Sequence, residues 1–148
     1  EGSYLYLSNC SARSNAGGYW FLRDNSVILH NCWAVSNLST GIQVESTNGV
    51  ILDRCGAKSN AASGVYATGG TSLQFTATGE YSQNGGDGIR LYGNSGAAFV
   101  GAYAGTIANN SGFGVRIRYQ SNVLNLVANS IIGNISGSSE IAFGSASY

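Results

Sequence analysis

The sequence predicts an all-β fold, a single-stranded parallel β-helix (solenoid) of about six coils with 22–26 residues in each coil. One observation is an internal repeat, in which Asn-centred segments recur 22 to 26 residues apart. The other is that short apolar runs of period two are bounded by Gly, Asn and Ser, which is typical of strands. No stretch shows sustained helical periodicity. A propeller blade needs about 40–45 residues, so the repeat is too short for that fold.

An Asn marks each coil of the repeat. The six are Asn15, Asn37, Asn60, Asn84, Asn110 and Asn134. Asn tolerates the left-handed backbone of a tight corner, and amides stacked at one corner hydrogen-bond along the stack. We therefore expect a single column of Asn side chains. A Gly follows most of them four residues later, and we expect it at a corner where a Cβ would clash.

Two apolar runs accompany each Asn. The run that begins at the Gly predicts two core columns, and the second run lies about ten residues before the Asn, as in Val27–Leu29 and Val50–Leu52. The first predicted column contains Ile42, Val65, Ile89, Val115 and Ile141, and the second contains Val44, Ala67, Leu91, Ile117 and Phe143. One coil buries too little apolar surface to fold alone, so stacking of coils is obligatory.

The three cysteines follow the repeat. Cys10, Cys32 and Cys55 each lie five residues before one of the first three Asn. This even spacing fits neither a disulfide framework nor a metal-binding motif. We expect an inward column of small apolar side chains and no metal site.

Composition excludes several classes of function. Seven basic and seven acidic residues give a net charge of zero, so no excess of positive charge predicts nucleic-acid binding. No run of about 18 apolar residues occurs, so no membrane insertion is expected. We expect residues 1–148 to form one β-helix segment, cut from a longer chain because the sequence has no Met and no signal-like start.

Repeats such as Val50–Cys55, followed by Asn60 and then Gly64, resemble those of right-handed parallel β-helix proteins of the pectin-lyase-like kind. These proteins include polysaccharide lyases, glycoside hydrolases and bacteriophage tailspikes and tail fibres. The Ser-, Gly- and Asn-rich composition is most similar to a phage tailspike. That resemblance implies a homotrimer that binds a bacterial surface polysaccharide. We expect the protein on the virion surface or outside the cell, and we expect no cofactor. The alternatives are a secreted polysaccharide lyase or glycoside hydrolase, and a purely structural shaft.

The Gly-led strands predict a binding face. If their core residues point inward, the alternate positions form two outer columns, whose aromatic rings stack on sugars and whose arginines bind carboxylate or sulfate. The predicted carbohydrate-binding residues are Trp20, Gln43, Tyr66, Arg90, Tyr92, Arg116 and Arg118. The same columns also contain Leu22, Glu45 and Thr68. Contact with neighbouring subunits and plain solvation are the alternative roles for this face.

Candidates for acid–base chemistry are few, and the sequence leaves open whether the protein cleaves its ligand. His30 and Asp53 are expected one coil apart, close enough for a hydrogen bond. Glu45 lies on the aromatic–arginine face, but glycoside hydrolysis needs a second carboxylate nearby, and none is expected within two coils. Asp87, in the segment Gly85–Gly88, is expected to have a role in a turn.

Overall fold

The computed structural model describes residues 4–24, 26–93, 95–100, 105–118, 122–124 and 130–142. Within these residues the chain forms short strands and no helix. In chain order the strands are β1 (Tyr4–Ser8), β2 (Ser11–Arg13), β3 (Tyr19–Leu22), β4 (Ser26–His30), β5 (Trp33–Val35), β6 (Ile42–Glu45), β7 (Val50–Asp53), β8 (Gly56–Lys58), β9 (Val65–Thr68), β10 (Ser72–Thr76), β11 (Glu80–Ser82), β12 (Ile89–Tyr92), β13 (Gly96–Val100), β14 (Thr106–Ala108), β15 (Phe113–Arg118), β16 (Asn122–Leu124), β17 (Ser130–Ile132) and β18 (Gly137–Ala142). No helix among the described residues has the length and apolar character needed to cross a membrane.

Every third strand belongs to the same parallel sheet. Sheet A stacks β1, β4, β7, β10, β13 and β16, sheet B stacks β2, β5, β8, β11, β14 and β17, and sheet C stacks β3, β6, β9, β12, β15 and β18. One strand from each sheet makes a rung, so the described chain forms six rungs and completes about five turns. Rungs are about 4.8 Å apart. The predicted parallel β-helix is confirmed.

The core columns of sheet C follow the predicted register over most of the helix. Ile42, Val65 and Ile89 are Cα partners on successive rungs and are fully buried. The last rung differs from the prediction. Ile141 pairs with Ile117 rather than with Val115, and Ser139 takes the place opposite Val115. The spacing from the Asn to this register position is five residues from Asn37 to Asn134, and the last rung has Ser139 there. On the first rung the spacing is four, because Tyr19 is the Cα partner of Ile42. Phe143 lies outside the described residues.

The alternation of apolar residues in the sequence does not predict sheet B, because its strands are only three residues long. Their central residues are buried, from Ala34 and Ala57 to Tyr81 and Ile107. The ring of Tyr81 packs edge-on against Phe75 of sheet A, with centroids 5.4 Å apart. Sheet B thus closes the core as its third side.

The three cysteines form an inward column, as predicted, and each lies directly before a strand of sheet B. Cys32 and Cys55 are buried, and Cys10 is half-buried on the first rung. The Cys55 thiol donates to the Leu29 carbonyl of the preceding rung at 3.2 Å. Burial raises the pKa of Cys55 to about 12, so this thiol stays protonated at neutral pH.

The Asn column is confirmed as a continuous ladder at the corner between sheets B and C. The backbone N–H and Nδ2 of Asn37 both donate to Oδ1 of Asn60, at 3.1 and 2.9 Å. Nδ2 of Asn37 also donates to the Ala12 carbonyl on the preceding rung, at 3.1 Å. The same hydrogen bonds to the next Asn are repeated from Asn60 to Asn84, from Asn84 to Asn110 and from Asn110 to Asn134. We call these side chains, with that of Asn15, the Asn ladder.

The left-handed backbone at this corner belongs to the residue before each Asn, not to the Asn as predicted. Ser36 has a φ of 56°, and Ser59 and Gln83 have the same value. The Asn is thereby free to turn its amide inward. The Gly that follows it is needed as predicted, because a Cβ on Gly64 would lie 2.6 Å from the Gly88 carbonyl oxygen.

Candidate carbohydrate-binding face

The outer face of sheet C displays the first predicted column in register. Trp20 is the Cα partner of Gln43, Gln43 of Tyr66, Tyr66 of Arg90, and Arg90 of Arg116. The side chains point outward because their chain neighbours fill the core. Five rungs at about 4.8 Å make the column roughly 19 Å long. The predicted grouping of these residues is confirmed, and their role in binding stays a prediction.

Trp20 forms the first-rung end of the face. Its side chain is 66% exposed. It borders an open cleft of about 390 Å³, whose lining residues are Ala16, Gly17, Gly18, Tyr19, Trp20, Ser39, Thr40 and Gln43. Nε2 of Gln43 donates to Oε1 of Glu45 along the same strand. An exposed indole beside amide and hydroxyl groups is an arrangement that accepts the apolar face and the hydroxyls of a sugar ring.

Arg90 lies against two tyrosines near the middle of the face. Its guanidinium carbon is 5.5 Å from the ring centre of Tyr66 and 5.9 Å from that of Tyr92. Its buried Nε has no hydrogen-bond partner among the described residues. Aromatic contact holds this cation without neutralising it.

Arg116 lies one rung further along the same column. Its guanidinium carbon is 5.1 Å from the centre of the Phe113 ring, and its Nη1 is 3.8 Å from Oδ2 of Asp87. The other carboxylate oxygen of Asp87 accepts the Phe113 backbone N–H at 2.8 Å. Asp87 therefore has the expected role at a corner, and it also places a carboxylate beside this arginine. The Cα partner of Arg116 on the last rung is Glu140.

The second outer column is also in register where the pairing is defined. Glu45 lies between Leu22 and Thr68, and Tyr92 pairs with Arg118. Glu140 lies four rungs from Glu45, or about 19 Å along the helix axis, well beyond the roughly 5–9.5 Å that separates the two carboxyl groups of a glycosidase. Glu45 therefore has no second carboxylate of sheet C within catalytic distance among the described residues.

His30 and Asp53 lie on a different face, the outer side of sheet A, so the structure does not bring them to Glu45. They are Cα partners on adjacent rungs, and Nδ1 of His30 is 2.6 Å from Oδ2 of Asp53. The other oxygen of Asp53 accepts the Thr76 hydroxyl at 3.0 Å. The predicted hydrogen bond is confirmed, and catalysis by the pair stays a prediction. In the described part of the chain, no three His, Cys, Asp or Glu residues cluster closely enough to hold a metal ion.

Phe113 is the residue of this face that sequence reasoning missed. It is the first residue of β15, one position before the Gly-led run, and apolar periodicity alone assigns it to no column. The signal that finds it is the coil length, because Asp87 and Phe113 are 26 residues apart, the same separation as Asn84 and Asn110.

Comparison with known proteins yields one match. A family model described as a right handed beta helix region matches residues 1–79, slightly more than half of the chain. No curated protein and no solved structure matches the chain.

Proposed function

The chain belongs to the right-handed β-helix family, and on that premise we propose that it recognises an acidic polysaccharide along the outer face of sheet C. The observation that supports this most is the placing of Arg90 against Tyr66 and Tyr92, with Arg116 one rung away. The ligand we propose is a bacterial surface glycan, and the protein a segment of a phage tailspike or tail fibre.

The anionic character of the ligand follows from the charge on the face. Arg90 and Arg116 are register partners, so two like charges lie on adjacent rungs and repel each other. Asp87 pairs with Arg116 at 3.8 Å, and the sum of these three charges is positive. A carboxylate or sulfate group on a bound glycan would accept hydrogen bonds from both guanidinium groups.

The polysaccharide character follows from the shape and chemistry of the rest of the face. The column is straight, and its aromatic side chains Trp20 and Tyr66 are two rungs apart, or about 10 Å. Gln43 and Glu45 lie between them and offer hydrogen-bonding groups to sugar hydroxyls. A chain of sugar rings that lies along the helix axis would contact an aromatic side chain, an amide and an arginine on successive rungs.

A homotrimer on the virion surface or outside the cell completes the proposal. In a trimer the face must stay open to bind glycan. A purely structural shaft is the competing function, and in it the same face would be covered by a neighbouring subunit. Substitution of Tyr66 separates the two, since Tyr66→Ala would weaken glycan binding in one case and trimer assembly in the other.

The experiment is a titration of the protein with acidic and neutral bacterial oligosaccharides, followed by calorimetry. Arg90→Gln should weaken the binding of an acidic oligosaccharide by about 10- to 100-fold, because a hydrogen bond to a charged group contributes about 1.5–3 kcal/mol. The matched control is Arg13→Gln, which removes an exposed arginine from the outer side of sheet B. The proposal is wrong if no acidic oligosaccharide binds, or if Arg90→Gln binds as tightly as Arg13→Gln.

A further inference from the structure

A second column of polar residues lies on the outer side of sheet A. Ser8, His30, Asp53 and Thr76 are the last residues of β1, β4, β7 and β10, and each is the Cα partner of the next. They face outward because the residue before each of them points inward. We propose that Ser8, His30 and Asp53 form a nucleophile, a general base and its positioning carboxylate, and that this site hydrolyses carboxylic esters.

The base and the carboxylate are held in a defined geometry. Asp53 uses one oxygen for Nδ1 of His30, at 2.6 Å, and the other for the Thr76 hydroxyl, at 3.0 Å. An ionised Asp53 fixes the His30 tautomer with its proton on Nδ1. The lone pair of Nε2 is then the one available to accept a proton. His30 is the catalytic base, and Asp53 acts through it as a positioning residue.

Ser8 lies on the opposite side of His30 from Asp53. The two rungs are joined directly beside it, because the Asn9 backbone N–H donates to the His30 carbonyl at 2.9 Å. Residues in such a pair are about 4.8 Å apart, a separation at which their side chains interact. The Ser8 hydroxyl is half-buried and already accepts a hydrogen bond from Nδ2 of Asn9, at 3.0 Å. For the proposed reaction, this hydroxyl must rotate about χ1 from Asn9 toward the imidazole.

Two amides next to the nucleophile provide hydrogen-bond donors. Nδ2 of Asn31 donates to Oδ1 of Asn9 at 2.7 Å, which orients the amide group of Asn9 with its NH₂ toward Ser8. One N–H of that NH₂ bonds to the Ser8 hydroxyl oxygen, and we assign the second to the carbonyl oxygen of an ester attacked by Ser8. Side-chain amides stabilise a developing oxyanion in this way.

A cleft of about 320 Å³ begins where the column ends, at the corner between sheets A and B. It is lined by Asn31, Trp33, Arg54, Thr78, Gly79 and Glu80. Asn31 and Arg54, which line it, directly follow His30 and Asp53 in the chain.

The cleft has one apolar wall and one charged wall. The indole of Trp33 lies over Gly56, where a Cβ would be 2.2 Å from the ring, so only a glycine leaves room for it. On the other side, Glu80 is paired with Lys58 at 2.9 Å. The Ser82 hydroxyl hydrogen bond, and then Lys58, lower the pKa of Glu80 and keep it ionised. A sugar ring fits such walls, so the substrate class is a sugar that bears a small acyl ester. Only this sugar part of the inference rests on the proposed function.

The reaction balances with the groups named. The Ser8 oxygen bonds to the ester carbonyl carbon while His30 takes the hydroxyl proton. The bond from carbon to the sugar oxygen then breaks, and His30 returns the proton to that oxygen. Water attacks the acyl-Ser8 ester and gives its proton to His30. The carbon–Ser8 bond breaks, the carboxylic acid leaves, and Ser8 regains its proton.

The test uses the whole 148-residue chain and two probes, p-nitrophenyl acetate and a fluorophosphonate that labels activated serines. We expect the label on Ser8 by peptide mass spectrometry, and hydrolysis that falls at least 100-fold in Ser8→Ala and in His30→Gln. Asp53→Asn should lower kcat with little change in KM, because Asp53 does not touch the substrate. Ser72→Ala, which removes an exposed serine from the first position of β10, is the control and should leave both readouts unchanged.

The inference is overturned if the wild-type chain is not labelled at Ser8, or if Ser8→Ala hydrolyses p-nitrophenyl acetate as fast as the wild type. Ser8→Ala removes one half-buried oxygen from an outer position, so it is expected to fold, and circular dichroism verifies this. Binding of acidic oligosaccharide to Ser8→Ala is measured in parallel. Retained binding with no esterase activity in the wild type would refute this site and leave the function proposed for sheet C standing.

Discussion

Two corners of the β-helix differ in how strictly the sequence repeats. At the corner between sheets B and C, the Asn ladder places the same amide on every rung, and Asn37, Asn60, Asn84 and Asn110 are each at most 1% exposed. At the corner between sheets A and B, the residues with positive φ are Asn9, Asn31, Arg54 and Ala77, which differ in type and are exposed or half-buried. Both corners turn through a residue with positive φ, 56° at Ser59 and 53° at Arg54.

The difference shows that the backbone turn alone does not require a particular side chain. Arginine and alanine both occupy the left-handed position at the A–B corner. The Asn repeats at the B–C corner because its amide is buried. This amide must hydrogen-bond through its own polar atoms and must also provide partners for backbone groups of two neighbouring rungs. Surface corners and outer columns are therefore free to vary, and the residues we assign to binding and to ester hydrolysis lie there.

The largest expected effect is on stability, from a substitution within the ladder. Asn60→Ala removes the side-chain hydrogen bonds to Asn37, Ala34 and Asn84. The buried backbone N–H of Asn37 and the Ala34 carbonyl then lose the Asn60 amide as their partner, whereas the backbone N–H of residue 60 still donates to Asn84. We expect a loss of about 3 kcal/mol or more in the free energy of unfolding, measured by urea denaturation.

Arg54→Ala is the comparison substitution at the A–B corner. Ala77 already holds this position on the next rung with a φ of 56°, so the backbone accepts alanine. We expect a change within about 0.5 kcal/mol. Equal losses at Asn60 and Arg54 would show that the buried amide is not what distinguishes the two corners.

A smaller loss is expected from the glycine that follows the ladder. In Gly64→Ala the new Cβ would lie 2.6 Å from the Gly88 carbonyl oxygen and 2.8 Å from Nδ2 of Asn84. Backbone on two rungs would have to shift, at a cost of about 1–3 kcal/mol. Thermal unfolding of this variant is compared with that of Gly49→Ala.

Gly49 lies in a turn between sheets C and A, where an added Cβ meets nothing within 4 Å and the φ is not positive. Gly49→Ala should leave stability unchanged or raise it slightly, because alanine restricts the unfolded chain more than glycine does. If both alanine variants unfold at the same temperature as the wild type, the B–C corner is less tightly packed than the structure indicates.

Much of this architecture can be predicted from the sequence, because the stacked rungs place the same type of side chain at the same angular position around the helix axis. The Asn spacing locates the ladder, and strict alternation separates Val65 and Ala67 from Tyr66 on the outside. Even the hydrogen bond between His30 and Asp53 follows from register alone.

Other features of the structure could not be predicted from the repeat in the sequence. The strands of sheet B have three residues, too few to show a period, as in Gly56–Lys58. The left-handed position before each Asn is filled by Ser, Gln, Asn or Gly, so no single residue type marks it. The position of Ser8 beside His30 requires the register of the first rung. The contact of Asp87 with Arg116 depends on how a corner side chain folds onto the next rung.

The central claim is that each ladder amide bonds to the Asn of the next rung, and hydrogen exchange in Asn84→Ala tests it most directly. The backbone N–H of Asn60 donates to Oδ1 of Asn84 at 3.1 Å, although the two residues are 24 positions apart. Measured by NMR relative to core amides, exchange at Asn60 should become much faster, while Asn37, whose acceptor is Asn60, stays protected. Unchanged protection at Asn60, with faster exchange only at residues adjacent to position 84 in the chain, would contradict the ladder and the register built on it.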